Sequence, residues 1–407
     1  MLPRTTSQSQ ILAISFAFIA LLPIAALNST IFSEDNLVFL LGATFLFGLF
    51  SSKGRLYAKS RYPWVSLWFI ALLAYSTASA WFTSSSVDAE ESELMKAVDL
   101  LMYFLLFKST VSATTHTNQD NQFLWWLIVG YSIAFVLRNS VDIAGLQQGY
   151  NLSPGFVLMT FVPLILLPTL ENGQARYPRG GVLLALTFVF WLALIGARTA
   201  AVSIMLLLAL IWVWPILVSR RWIYICSFWG AVGVMVLFYW MYLHLSTGLD
   251  ESLVEDSSFN FFRKRLGTRT DIWLQLLYLI SQNPWFGYGL EASTHAASPV
   301  QSLDFSYHRD NLASHSTYLE IVYRLGIIGL GMFILILYSI WMSLWYGRTN
   351  WKVRVVGAYL LTLLFFASTG QFLFLTDMSL RSGFAWMVLA IGVGVSLKYK
   401  STNYAQA

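Results

Sequence analysis

Long apolar stretches recur along the chain, and they constrain its fold more than any other feature. Of the 407 residues, 57% are hydrophobic and only 11% are charged, whereas soluble domains carry about 25% charged residues. A helix needs roughly 20 apolar residues to cross the hydrocarbon core of a bilayer. The composition and the length of these stretches therefore predict an all-α integral membrane protein.

The hydropathy pattern predicts about 12 transmembrane helices, with both termini on the same side of the membrane. The predicted spans are 10–29, 35–52, 63–83, 95–114, 122–140, 152–171, 180–197, 199–218, 222–244, 316–345, 351–369 and 376–398. The first span follows Arg4 and lacks a convincing cleavage site after it, so we expect it to be retained.

The distribution of positive charge predicts the orientation. With both termini in the cytoplasm, 15 of the 25 basic residues fall in short inner segments, as the positive-inside rule requires. The opposite orientation would put basic clusters outside at almost every turn. We therefore predict a multi-pass protein with cytoplasmic termini.

One long outer loop divides the chain into three regions. Residues 1–245 carry the first nine predicted membrane helices, residues 246–315 form the loop, and residues 316–407 carry the last three helices and a cytoplasmic tail. Loops of this length in a compact protein are usually functional or structured.

The long loop itself contains a helical pattern. Ile272, Leu276, Leu279 and Ile280 recur at helical spacing. This predicts an amphipathic helix that is too short to span, lies on the membrane surface and ends near Asn283-Pro284.

Cations are normally depleted from the outer side of a membrane protein, yet several are predicted there. Arg198 lies between two apolar runs, either as a snorkelling side chain or as an anion ligand, because a planar guanidinium matches phosphate oxygens. Arg265 and Arg269 are four residues apart and share one face if that stretch is helical. With Arg263 and Lys264 they form a cluster that fits either a bound anion or lipid headgroups.

His315 directly follows the long loop. Its imidazole titrates near neutral pH and can take a proton from a hydroxyl, although a histidine at a helix start often has only a structural role. Tyr318, Glu320 and Arg324 follow as possible supporting residues, and the last two are spaced to form an ion pair. Close helix packing is expected to explain the next three glycines, Gly326, Gly329 and Gly331.

Several classes of chemistry find no support in the sequence. The phosphate loop of ATPases, the His-Glu-x-x-His zinc motif and the Gly-x-Ser-x-Gly motif are all absent. Cys226 is the only cysteine, which excludes an intramolecular disulfide and a cysteine-based metal site. The basic residues are scattered between apolar runs, so nucleic acid is a poor partner.

Four segments together resemble the O-antigen ligase / O-antigen polymerase superfamily of bacterial cell-envelope proteins, over roughly residues 180–345. They are Gly196-Ala197-Arg198-Thr199, Arg269-Thr270-Asp271-Ile272-Trp273, Asn283-Pro284-Trp285-Phe286-Gly287-Tyr288-Gly289, and His315-Ser316-Thr317-Tyr318-Leu319-Glu320 with Leu325-Gly326-Ile327-Ile328-Gly329. Ser316 departs from the family pattern, which usually has asparagine there.

The resemblance implies a C-type glycosyltransferase-like fold in the bacterial inner membrane, with an active site that faces the periplasm. The implied reaction is metal-independent and inverting, uses no cofactor, and takes a glycan from undecaprenyl diphosphate. A ligase would pass it to the lipid A-core oligosaccharide, and a polymerase to a lipid-linked repeat. His315, Arg198 and Arg269 would be catalytic, and Arg198, Arg265 and Arg269 would bind the substrate diphosphate.

Two alternatives to a ligase stay open. Lys264, Arg263 and Arg309 suit a phosphorylated acceptor such as lipid A-core and favour the ligase, but a polymerase shares the fold, the donor and the motifs. A transporter or flippase of lipid-linked glycans belongs to another class. The sequence shows neither the inverted repeats nor the broken midplane helices that are typical of such transporters.

Overall fold

The computed structural model describes residues 63–83, 87–116, 162–168, 174, 178–194, 198–247, 273, 276–290, 316–368 and 380–406. Every regular element within these ranges is helical. The helices are α1 (Pro63–Thr83), α2 (Val87–His116), α3 (Val162–Leu166), α4 (Pro178–Leu194), α5 (Arg198–Leu217), α6 (Arg221–Thr247), α7 (Thr317–Leu344), α8 (Trp351–Phe366) and α9 (Leu380–Gln406). A 3-10 helix at Trp345–Gly347 follows α7, and residues 276–282 form a further short helix.

Most predicted spans within the described ranges coincide with helices. The span 63–83 is α1, and the interruption at Arg198 separates α4 from α5. Three helices are long and apolar enough to cross a membrane, namely Thr199–Leu217, Arg221–Met241 and Thr317–Gly347. The all-helical membrane class is therefore confirmed for the described residues. The number of about 12 spans stays a prediction, since 10–29, 35–52 and 122–140 lie outside those residues.

The core of the bundle is centred on α8 and α9. Nearly all of α8 is buried, and α9 packs against both α2 and α8. The ring of Trp386 on α9 meets Phe69 of α1 at 5.2 Å and Phe107 of α2 at 6.2 Å between centroids, both edge-on. These contacts join three helices in one hydrophobic core.

Aromatic side chains tie α5, α6 and α7 together at one end of the bundle. The rings of Tyr224 and Trp341 stack with their centroids 4.1 Å apart, and the Trp341 indole donates to the Tyr224 carbonyl at 2.9 Å. The Trp214 indole donates to the carbonyl of Arg348 at 2.9 Å. These bonds fix the height of each helix relative to its neighbours.

The same end gathers basic residues that the sequence assigns to the cytoplasm. They are Arg220, Arg221, Arg348, Lys352, Arg354, Lys398 and Lys400. Such clustering is what the positive-inside rule expects of the cytoplasmic side. We call this the inner end and the opposite one the outer end, although the sidedness itself remains a prediction.

The helix α7 is broken at Gly326. This residue has φ 67° and ψ −175°, inside a run that is otherwise helical. A positive φ is available to glycine at little cost and is strained for other residues. A side chain at Gly326 would also overlap the carbonyl of Trp285. We call the two parts α7a (residues 317–325) and α7b (residues 327–344).

The distance between the two ends of α7 shows that this break is a sharp bend. A straight helix from Thr317 to Gly347 would be about 45 Å long. The N–H of Thr317 donates to Ala367 at 2.9 Å, and the N–H of Asn350 donates to Gly347 at 2.8 Å. Because α8 spans only about 26 Å between these two bonds, Thr317 and Gly347 are at most about 38 Å apart. With straight segments of about 14 Å before Gly326 and about 31 Å after it, this distance requires the chain to turn by at least about 70° at Gly326.

The bend corrects the predicted span 316–345, which the hydropathy pattern presents as one continuous membrane helix. Residues 327–347 alone are about 31 Å long, which matches the hydrocarbon thickness of about 30 Å. The half-helix α7a lies across the outer end of the bundle instead of continuing the span. The hydropathy pattern missed the bend because apolar residues continue on both sides of Gly326, although α7a also carries Glu320 and Arg324.

Replacement of Gly326 by alanine should destabilise the protein. The new side chain would meet the Trp285 carbonyl at a positive φ, so we expect a loss of more than about 1 kcal/mol and a lower midpoint of thermal unfolding in detergent. Gly331→Ala is the matched control, since no described atom lies within 4 Å of a Cβ there. Equal midpoints for the two variants would contradict the role given to Gly326.

Candidate active site

The predicted site residues divide into those that the structure describes and those that it does not. Arg198 is the first residue of α5, and Tyr318, Glu320 and Arg324 lie on α7a. Arg265, Arg269 and His315 lie outside the described residues, so the catalytic roles of His315 and Arg269 and the diphosphate-binding roles of Arg265 and Arg269 stay predictions.

The start of α5 is level with the start of α7a. The guanidinium of Arg354 on α8 donates to the carbonyl of Ile211 on α5 at 2.6 Å. Arg198 lies 13 residues before Ile211, and Ala367 lies 13 residues after Arg354, so each is about 20 Å from this contact. Because Ala367 accepts the N–H of Thr317, Arg198 and the start of α7a lie at the same end and at about the same height.

Ser316 is fixed by three helices at once. Its hydroxyl caps α7a by accepting the N–H of Leu319 at 3.3 Å. The same hydroxyl makes a short hydrogen bond to the phenol of Tyr239 on α6. The Tyr239 phenol also donates to the carbonyl of Ser368, just after α8, at 2.8 Å. The residue next to His315 is therefore held in place by α6, α7a and the end of α8.

The direction of these hydrogen bonds follows from counting protons. A tyrosine hydroxyl has a single proton, and the Ser368 carbonyl can only accept, so Tyr239 gives its proton to Ser368. The proton shared with Ser316 must then come from the serine hydroxyl. The chain runs from the N–H of Leu319 through Ser316 and Tyr239 to Ser368, with one donor at each step.

Tyr318 serves as a packing residue in this arrangement. Its side chain is only 2% exposed, and its hydroxyl donates to the carbonyl of Leu364 on α8 at 2.8 Å. Its ring contacts Phe333 of α7b with centroids 6.5 Å apart. The phenol therefore joins α7a to α8 and α7b beneath it.

Glu320 and Arg324 form the ion pair that their spacing predicts. The Nε atom of Arg324 donates to a carboxylate oxygen of Glu320 at 2.8 Å, and both side chains are largely buried. The same guanidinium donates to the carbonyl of Leu290 at 2.6 Å. Arg324 thus joins α7a to the segment that follows the turn 283–289.

The turn 283–289 fits into the break of α7. The N–H groups of Tyr288 and Gly289 donate to the carbonyls of Tyr323 and Arg324 at the end of α7a, at 3.0 and 2.9 Å. In the other direction, the N–H of Ile327 at the start of α7b donates to Pro284 at 2.8 Å. A broken helix leaves backbone groups without partners on both sides of the break, and this turn supplies partners for both.

A tyrosine side chain and a second glycine complete the junction. The phenol of Tyr75 on α1 donates to the carbonyl of Leu325 at 2.9 Å. Gly287 has φ 72°, and a Cβ there would overlap the carbonyl of Arg324. The turn can approach α7 this closely because both Gly287 and Gly326 lack a side chain.

The glycines correct one expectation from the sequence. Gly326 serves the backbone conformation and the approach of the turn, and no described atom lies within 4 Å of a Cβ placed at Gly331, so close helix packing explains neither. The break of α7 leaves the other expectation, that no broken helices meet at the midplane, uncontradicted. It lies at the outer end and its backbone groups bind other backbone, unlike the midplane substrate sites of transporters.

The short helix 276–282 ends at Asn283, as predicted, but its apolar face lies on protein. Leu276, Leu279 and Ile280 are buried in a cluster with Leu319 and Tyr323 of α7a. Protein therefore covers this face, and the expected place of the helix on the membrane surface stays a prediction. We call the helix 276–282, the turn 283–289 with Leu290, and α7a together the outer layer, since the helix and α7a share this separate hydrophobic cluster.

Tyr288 stabilises the outer layer from within the turn. Its phenol donates to the carbonyl of Leu279 at 2.8 Å, and its ring lies 5.2 Å from that of Tyr323. Burial raises the pKa of the Tyr288 phenol, and the nearby Tyr278 raises it further. The group therefore stays a proton donor at neutral pH.

Sequence reasoning missed Tyr239 and Tyr75. Both lie within apolar helices, where a tyrosine gives no signal that separates it from an ordinary core or interfacial residue. Their hydroxyls reach partners that are distant in sequence, at Ser316 and Leu325. Only the tertiary structure brings these groups together.

A comparison with protein families supports the resemblance found in the sequence. Residues 183–334 match the family model described as O-antigen ligase. This match bears out the resemblance to the O-antigen ligase / O-antigen polymerase superfamily and does not distinguish a ligase from a polymerase. A comparison with curated proteins found no match.

Removal of the Arg324 guanidinium should destabilise the outer layer. Arg324→Met leaves the Glu320 carboxylate buried without its charged partner, which typically costs about 3–5 kcal/mol, so the thermal midpoint in detergent should fall. Glu320→Gln is the control, because it keeps an oxygen that can accept from Arg324 and should cost less. An unchanged midpoint for Arg324→Met would show that the pair does not hold the layer.

Proposed function

We propose, from the match of residues 183–334 to the O-antigen ligase family, that this protein is a periplasmic-face glycosyltransferase. It moves a glycan from undecaprenyl diphosphate to the lipid A-core oligosaccharide and therefore acts as an O-antigen ligase. The observation that carries the proposal is the position of the match. It begins within α4 and ends within α7b, so it includes α5, α6 and the whole outer layer.

The outer layer gives this chemistry a suitable location. Lipid-linked donors keep their hydrocarbon in the bilayer and their diphosphate at its surface. The half-helix α7a lies across the outer end of the bundle, level with the start of α5. A reaction on a headgroup that protrudes from the membrane needs its residues at this height, and not at the bilayer centre.

The arginines stabilise the leaving diphosphate in the proposed mechanism. Arg198 is the first residue of α5, where unpaired backbone N–H groups favour an anion. A cation at this position is unfavourable for the helix dipole unless an anion compensates it. Arg198, Arg265 and Arg269 keep their charge at any physiological pH, so they act as fixed positive charges that favour the transition state.

His315 acts as the base. The imidazole takes the proton of the acceptor hydroxyl while the hydroxyl oxygen attacks the anomeric carbon of the glycan. The bond between that carbon and the phosphate oxygen breaks, and its electron pair leaves with undecaprenyl diphosphate. A single displacement of this kind inverts the anomeric centre.

The hydrogen bonds around Ser316 support this role for His315. A base works only when its geometry is held close to the reactive arrangement. Ser316, the next residue, is bonded to Leu319 and Tyr239, and Thr317 is bonded to Ala367. The backbone that carries His315 therefore has a firm attachment on one side.

The choice of a ligase rests on the predicted charge of the acceptor side. Arg263, Lys264 and Arg309 give the long outer segment a basic character. Lipid A-core carries phosphates and suits such a surface. A polymerase would use a lipid-linked repeat as acceptor and remains the alternative within the same family.

Substitution of the proposed catalytic residues should abolish most transfer. Loss of one group that stabilises developing charge typically lowers turnover by about 100- to 1000-fold, so turnover by Arg198→Ala and by Arg269→Ala should drop by that factor. Loss of a general base typically lowers turnover by about 100- to 10,000-fold, which is the drop expected for His315→Ala. Transfer is measured with purified protein in liposomes. Arg221→Ala, which removes an exposed charge at the inner end, is the control and should keep full activity. Normal turnover in any one of the three variants would remove that residue from the mechanism.

Tyr239→Phe should lower transfer without unfolding the protein. The variant loses the hydroxyl that joins Ser316 to Ser368, and a small displacement of catalytic groups can cost up to about 100-fold in rate. Tyr338→Phe removes a hydroxyl from a ring that packs on Phe228 and Trp229, and it should be neutral. Full activity in Tyr239→Phe would mean that this bond does not position the site.

A deletion in the native host separates the candidate activities. A ligase predicts the loss of the glycan ladder from lipid A-core, together with full-length glycan on the carrier lipid. A polymerase predicts lipid A-core that carries a single repeat. An unchanged pattern of both lipopolysaccharide and lipid-linked glycans would contradict both.

A further inference from the structure

The outer layer exposes an aromatic edge that no described part of the protein covers. Trp285 is 60% exposed and Phe286 is 56% exposed, and the neighbouring Ile327 is 47% exposed. All three lie at the break of α7, where the turn 283–289 meets the first residue of α7b. Large apolar side chains that are exposed side by side usually mark an interaction surface.

The backbone under this edge is held firmly, so the exposure belongs to the fold. The carbonyl of Pro284 accepts from Ile327 at 2.8 Å, and that of Trp285 accepts from Ile328. The lack of a side chain at Gly326 lets the turn sit directly on α7. These bonds aim Trp285 and Phe286 away from the core.

The edge lies one membrane thickness from a second set of aromatic residues. Trp345 and Tyr346 follow α7b at the inner end, 18 residues after Ile327, which is about 27 Å along the helix. Basic groups accompany this inner set, since Arg348 lies over the ring of Trp345 at 4.2 Å and Lys400 lies over that of Tyr346 at 4.4 Å. Aromatic and basic residues are typical of the interface between headgroups and hydrocarbon.

The helix α6 repeats the same spacing independently. Trp222, near its start, is 60% exposed, and Trp240, near its end, is 55% exposed. They are also 18 residues apart, and Tyr239 beside Trp240 is bonded to Ser316 and Ser368 at the outer end. The exposed tryptophans of α6 therefore lie at two levels about 27 Å apart, and Ile327, beside the aromatic edge, lies at about the same distance from the exposed Tyr346 at the inner end of α7b. This distance is close to the hydrocarbon thickness of about 30 Å.

We propose that Trp285 and Phe286 are embedded in the outer interface of the bilayer, where they anchor the outer layer to lipid. The indole of Trp285 suits the headgroup level because it has both an apolar ring and an N–H donor. The ring of Phe286 lies just below, among the first methylenes of the lipid chains. The partner of this surface is bilayer lipid, because the spacing to the inner aromatic set is that of a membrane.

Anchoring of this kind would hold α7a at a constant height above the hydrocarbon. Under the proposed function, that height sets the position of the site relative to the diphosphate of a lipid-linked donor. This consequence rests on the proposed function, whereas the anchoring itself does not.

The depth of a spin label at position 286 tests the anchoring. Cys226 is the only cysteine, so Cys226→Ser provides a background in which Phe286→Cys carries a single nitroxide. The full-length protein is placed in liposomes of phosphatidylethanolamine and phosphatidylglycerol. Collision rates are measured with oxygen, which partitions into hydrocarbon, and with a neutral nickel chelate, which stays in water.

Two control positions set the scale. Trp212→Cys labels the most exposed face of α5, where Trp212 is 79% exposed, and should favour oxygen strongly. Arg220→Cys labels an exposed turn at the inner end and should favour the nickel chelate. At position 286 we expect oxygen to dominate, with a ratio between those of the two controls.

Two results would overturn the proposal. A ratio at position 286 equal to that at position 220 would place the edge in water. Low collision rates with both reagents would mean that another part of the protein covers it. Trp285→Cys is measured in the same way, so that one variant remains if the other fails to elute as a single folded species. Since no substrate is used, the result is independent of whether the protein is a ligase.

Discussion

The outer end of this protein depends on one backbone junction, the break of α7 at Gly326 into which the turn 283–289 fits. A helix that ends and restarts leaves carbonyl groups on one side and N–H groups on the other without partners. In and near a membrane such groups are costly, because little water is there to bind them. The turn binds both sets, with Tyr288 and Gly289 as donors and Pro284 as an acceptor.

This junction explains how a membrane helix can contribute to a surface site. Because the chain turns sharply at Gly326, α7b alone has the length to span the bilayer, while α7a lies across the outer end. The first residue before α7a, Ser316, is bonded to Tyr239, and the last turn of α7a is bonded through Arg324 to Leu290. The half-helix is therefore attached at both ends, level with the start of α5.

The sequence predicts the class of the fold well and the junction poorly. Apolar length identifies the span 63–83 and the separation of α4 from α5 at Arg198, and the spacing of Glu320 and Arg324 predicts their ion pair, because these features are local. The bend at Gly326 and the contacts of Tyr75 and Tyr239 depend on partners far away in the chain. The helix 276–282 is identified by its period, but periodicity cannot reveal whether its apolar face meets lipid or, as here, Leu319 and Tyr323.

The most direct test of the account is transfer by the purified protein. The full chain is reconstituted in liposomes with lipid A-core and a glycan on undecaprenyl diphosphate, and the lipids are separated on a gel after incubation. The account predicts that glycan-bearing lipid A-core forms with the wild-type protein and is nearly absent with His315→Ala at equal protein level. Full transfer by His315→Ala, or no transfer to lipid A-core by folded wild-type protein, would contradict it.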